Sequence, residues 1–137
     1  MCIRDSAYIV QSSQSNFGDA VTDLENAVIN RGLVIDYKGL VGDMLSRTGE
    51  AVGVASPYND AVYMHFCSAK LTHAAVAASS ENMAICPYVV FAYELKAAPG
   101  KITLGYRLPK GATNPESLSA LAGVDELLKG IVDEAAE

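Results

Sequence analysis

The sequence predicts an α+β fold: a single mixed β-sheet built from two β-α-β units plus a C-terminal hairpin, with helices packed on the sheet. Three observations predict it. Apolar residues recur at helical spacing over 17–28 and alternate strictly over 61–67. Helical and extended stretches also follow one another in the order β-α-β-(α)-β-α-β-β-α with short connections, the pattern of strands joined by helical crossovers.

Each element has its own reason. Ala7–Gln11 reads as a short strand, and the polar Ser12–Ser15 follows as turn material. Asn16 is a helix N-cap with Asp19 in the first turn. Phe17, Ala20, Val21, Leu24, Ala27 and Val28 then make one apolar stripe, and Gly32 stops the helix. Leu33–Tyr37 is rich in β-branched and aromatic residues and reads as a strand. Val41–Arg47 reads as a weaker helix, and Gly49, Gly53, Pro57 and Asn59 make Thr48–Asp60 irregular. In the strand Ala61–Cys67, Val62, Met64 and Phe66 point one way while Tyr63, His65 and Cys67 point the other. Lys70–Ser79 is an alanine-rich helix. Tyr88–Leu95 is apolar enough for a central strand, and Ala98-Pro99-Gly100 turns it into Lys101–Leu108. An amphipathic helix over 116–136 closes the chain.

Composition narrows the classes. At 137 residues the chain is one domain, spanning 7–137. Met1-Cys2-Ile3-Arg4-Asp5-Ser6 reads as a translated sequencing-adapter scar and is set aside, so the native N-terminus is expected to be missing. A net charge of −6 and a pI of 4.8 give no basic face for nucleic acid. No apolar run approaches the roughly 20 residues of a membrane span. With Cys2 removed, Cys67 and Cys86 remain, too few for a disulfide scaffold.

The segment from Phe66 to Tyr88 carries the chemistry. Cys67 stands where a strand hands over to a helix, a position that favours a thiolate. His65 and Tyr63 share its strand face, Ser68 follows it, and His73 lies one and a half helical turns on. The expected ligand-binding set is therefore Cys67, His73, His65, Tyr63, Ser68 and Cys86, with Cys67 and His73 as the metal pair. Thiolate with imidazole suits haem or a transition metal. Met64 and Met83 read as core, and Arg107 as a partner for Glu94. With no phosphate loop, nucleophile elbow or paired carboxylates, no catalytic residues are expected. A Cys67–Cys86 disulfide is disfavoured by this topology: in a parallel β-α-β unit the two cysteines lie at opposite ends of the sheet, beyond the roughly 7 Å Cα limit.

Ser15-x-Phe17, Leu24, Ala27 and Arg31-Gly32-Leu33, then Phe66 and Lys70, Pro87 and Ala92-Tyr93-Glu94 follow one another in an order and spacing that resemble the family catalogued as domain of unknown function 302 over about 8–108. Cys67-Ser68-Ala69 stands where that family has Gly-Asn-Pro, and Cys86 where it often has leucine. The resemblance implies the fold and a homodimer, and leans localisation toward exported or periplasmic; it implies no catalytic residues. Three functions follow as expectations: a homodimeric binding domain holding haem, a metal or a small molecule at the Cys/His pocket; a thiol-redox or sulfur-carrier protein using Cys67; or an assembly module with structural cysteines.

Overall fold

Asn16 turns the chain into its first helix by accepting a hydrogen bond from the Asp19 amide through its side chain, at 3.0 Å. Helix α1 (Phe17–Ile29) then buries Ala20, Val21, Leu24, Ala27 and Val28, the stripe its periodicity predicts. Gly32 follows at φ +74°, a left-handed backbone that glycine adopts without strain. The computed structural model describes residues 2–3 and 6–137. Met1, Arg4 and Asp5 of the segment read as an adapter scar lie outside the described residues.

The strands are β1 (Cys2–Ile3), β2 (Ala7–Gln11), β3 (Tyr37–Gly39), β4 (Tyr58–Phe66), β5 (Tyr88–Leu95) and β6 (Ile102–Arg107). They form one sheet in the order β1-β2-β6-β5-β4-β3. Every pairing is antiparallel. The α+β class with one sheet and packed helices stands, but the parallel β-α-β units do not. Helix α3 (Ala69–Ala78) has ten residues, about 15 Å of rise, while the nine-residue β4 runs about 30 Å. So short a helix does not carry the chain back along the strand. Continued by the 3₁₀ turn Ser80–Ile85, it returns the chain to the end of the sheet where β4 finished.

Helix α4 (Pro115–Ala136) opens with proline, whose missing N–H is unneeded at a helix start. It packs on α1 and α3 over one face of the sheet. Val62, Met64 and Phe66 of β4 enter this core with Val90, Ile102 and Leu104. Three boundaries differ most from expectation: β4 starts at Tyr58 and ends at Phe66 instead of spanning Ala61–Cys67, so 58–60 of the stretch expected to be irregular are strand. The third strand is Tyr37–Gly39 instead of Leu33–Tyr37, and helix α2 (Val41–Val52) runs to Gly53, where φ +74° ends it. Met64 is wholly buried as predicted, whereas Met83 is 66% exposed on the 3₁₀ turn.

Two tyrosines cross the core with their rings 5.2 Å apart. Tyr8 donates to Asp133 at 2.7 Å, and Tyr106 donates to Asp125 at 2.9 Å. Burial first, and then the Asp125 hydrogen bond and charge, push the Tyr106 hydroxyl well above the tyrosine value of 10.0. Because its folded pKa is raised, its contribution is complete below pH 10 and is lost as pH climbs toward the folded value. Tyr106→Phe is expected to flatten the alkaline limb of stability above pH 10, read by chemical denaturation at stepped pH; an unchanged limb would refute this.

Candidate functional site

Strand β4 ends at Phe66, paired with Tyr88 at the start of β5. One residue beyond Phe66 is Cys67, and two before Tyr88 is Cys86, so antiparallel pairing brings both to one end of the sheet. Their Cα atoms are 6.2 Å apart and the sulfurs are joined in a disulfide. This overturns the expectation that they lie at opposite ends, which rested on parallel strands. It also removes the free thiolate on Cys67: both sulfurs are tied to each other, and neither is a soft ligand in this form.

Neighbouring groups hold the bridge in place. Ser68 caps α3, its hydroxyl accepting from the Leu71 amide at 3.3 Å. Thr72 and Tyr88 hydroxyls lie 3.0 Å apart, tying α3 to β5. Arg107 donates to the Pro87 carbonyl at 2.6 Å and to that of Ile85 at 3.4 Å, bracing the turn that carries Cys86. Arg107 is therefore not the partner of Glu94, which instead accepts from the Gly100 amide in the β5–β6 turn.

The remaining predicted residues divide into two places. His73 is exposed on α3, in the helical layer. Tyr63 and His65 lie on the opposite side of the sheet with ring centres 5.0 Å apart, and Tyr37 of β3 stands 5.8 Å from His65. With its sulfur bonded to Cys86, Cys67 has no thiolate to offer a metal beside His73. Among the described residues no group of three or more His, Cys, Asp or Glu side chains is placed to hold a metal.

The sheet face away from the helical layer departs from ordinary alternation, in which an outer face is polar. Tyr63 on β4 and Phe91 and Tyr93 on β5 occupy it. The rings of Phe91 and Tyr93 are parallel within 7° at 6.1 Å, and Tyr58 meets Tyr93 at 5.4 Å. Two glycines explain how the rings lie. A Cβ on Gly39 would overlap the Tyr63 ring, and one on Gly105 would overlap Phe91. Each ring thus lies down over the glycine of the neighbouring strand, as aromatic side chains do when they cover a strand glycine. Sequence reasoning missed this surface, although aromatic residues at the outward positions 63, 91 and 93 were its visible signal.

Helix α2 runs beside the uncovered end of β4, with Gly42 against the Ala61 backbone. Gly42 is its only buried residue. Six of the nine exposed large apolar side chains among the described residues lie between 34 and 54. Of these, Tyr37, Leu40 and Met44 line one hollow together with Arg47.

A family model described as Domain of unknown function DUF302 matches residues 8–135. The match passes beyond 8–108 and takes in α4. The fold is similar to that of a crystal structure of an uncharacterized conserved protein DUF302 from Bacillus stearothermophilus, with a TM-score of 0.76 and 14% identity over 96% of this chain and 99% of that one. No curated protein matches the chain.

Proposed function

The chain belongs to the DUF302 family, a fold without a stated activity, and from its own surface we propose that it is an assembly module: a homodimerising domain with structural cysteines. The observation that carries this reading is α2, an amphipathic helix that buries only Gly42 and leaves Met44, with Leu40 just before its first turn, exposed beside Tyr37. Contiguous apolar surface of this kind marks an interaction site. The occupant is a second copy. Among the described residues no carboxylate lines the hollow, and of its two cations Lys38 is already paired with Glu25, so the apolar patch meets its own two-fold copy with Arg47 as the one unneutralised charge. Structural cysteines fit the same reading, because the bridge closes α3 and its return turn with the sulfurs of Cys67 and Cys86.

Light scattering coupled to size exclusion is expected to give twice the 14.4 kDa chain mass at micromolar concentration. Met44→Lys, which sets a charge into the hollow, is expected to weaken the dimer by roughly tenfold or more. A monomer at every concentration, or a dimer indifferent to Met44→Lys, would overturn the proposal.

One observation favours a second reading, thiol–disulfide exchange: both cysteines are only half-buried, which leaves the bridge open to an external dithiol. In that step the dithiol is oxidised to its own disulfide while Cys67 and Cys86 take up two electrons and two protons as thiols. Mass-resolved thiol labelling after brief dithiothreitol treatment of the folded protein tests it; a bridge that resists reduction until the protein unfolds argues against exchange.

A further inference from the structure

Between α2 and the aromatic face of the sheet lies a groove of about 470 Å³, which shares Val41 and Tyr63 with the hollow on which the assembly proposal rests and extends from them to Tyr58, Phe91 and Tyr93. We propose that it is a binding site for a neutral, flat, largely apolar ring compound carrying an oxygen or nitrogen hydrogen-bonding group. Its volume falls within the range of small-molecule sites, which are apolar and aromatic with a few polar groups.

The chemistry of the walls selects the ligand. Val41 and Leu45 of α2 form one side, and Tyr58, Tyr63, Phe91 and Tyr93 form the rest of the working surface. Among the described residues no Asp, Glu, Lys, Arg or His side chain lines it, so a charged ligand would lose hydration without a counter-charge. Its polar groups are phenols: the hydroxyls of Tyr58 and Tyr93 make no hydrogen bond among the described residues, while that of Tyr63 lies over Gly39, toward the neighbouring hollow. The first two are free to donate to an acceptor or accept from a donor on the ligand. The rings that Gly39 and Gly105 let lie down supply a flat floor, and the parallel Phe91 and Tyr93 rings suit offset stacking. Cross-strand pairing alone accounts for aromatic residues here, but not for the unpartnered phenols of Tyr58 and Tyr93 beside one apolar groove.

The test uses 2-naphthol and naphthalene as neutral probes and 2-naphthoate as the charged control, titrated into the folded protein and followed by fluorescence. One naphthol is expected per chain, bound at least tenfold more tightly than naphthoate. Tyr93→Phe combined with Tyr58→Phe, which keeps both rings, is expected to weaken 2-naphthol by roughly threefold to tenfold while leaving naphthalene unchanged. Leu45→Trp, which fills the groove from its α2 wall, is expected to abolish binding of both neutral probes. Absent binding, naphthoate binding as tightly as naphthol, or binding that survives Leu45→Trp would each overturn the proposal. Leu45 is not among the residues that line the hollow, so the dimer is expected to persist in Leu45→Trp, and light scattering separates loss of ring binding from loss of assembly.

Discussion

Replacing both bridge cysteines, C67S/C86S, is expected to lower stability by about 3 kcal/mol. The bridge spans a sequence separation of 19, and closing a loop of that length removes close to this much conformational freedom from the unfolded chain. In a domain of this size the loss corresponds to a fall in melting temperature on the order of 10 °C. The pair must be replaced together, since a single serine leaves a lone thiol free to cross-link. Differential scanning calorimetry reads the effect. A shift of a degree or two would sink the structural role of the bridge and strengthen the exchange reading.

The second large effect belongs to Asn82, which is 1% exposed where α3, the 3₁₀ turn, the 110–114 loop and α4 meet. Its amide donates to the Ala75 carbonyl at 2.8 Å and to the Ser117 hydroxyl at 2.9 Å, while its carbonyl accepts from the Ala112 amide at 2.9 Å. Asn82→Ala leaves the Ala112 amide unpaired and strands Ser117, itself fully buried, without this partner. A buried group left unsatisfied costs about 1–3 kcal/mol, and two such groups with a small cavity make a loss of about 3 kcal/mol. Urea denaturation is expected to show a lower midpoint at an unchanged slope. Gly111 belongs to the same junction, since a Cβ there would press on the Asn82 side-chain oxygen. A loss under about 1 kcal/mol would show that the junction repacks.

Much of the architecture was legible because it rests on local chemistry. The α1 stripe, the Asn16 cap, the alternation of Val62, Met64 and Phe66 and the β5–β6 hairpin all follow from neighbours in the chain, and all are observed. What misled the reading was strand direction. Helical crossovers suggest parallel strands, but the pattern Phe66-Cys67 to Pro87-Tyr88 is the same whichever way the chain re-enters the sheet. That one choice separates two distant cysteines from a bonded pair. Arg107 was misread for a related reason: its partner, the Pro87 carbonyl, lies 20 positions away in sequence and carries no side-chain signal.

The aromatic groove lay between these cases. Residues 58, 63, 91 and 93 were visible as tyrosine and phenylalanine, but their convergence depends on the β4–β5 register, and their flat orientation on glycines in two other strands. By itself, then, the sequence determined the helices, most of the strands, the core face and the family, because periodicity and caps are written in adjacent residues. Only the tertiary structure decided the antiparallel order, the Cys67–Cys86 bridge, the separation of His73 from His65 and the groove beneath α2. Each depends on which end of the sheet a connection returns to, and that is settled by packing between residues far apart in the chain.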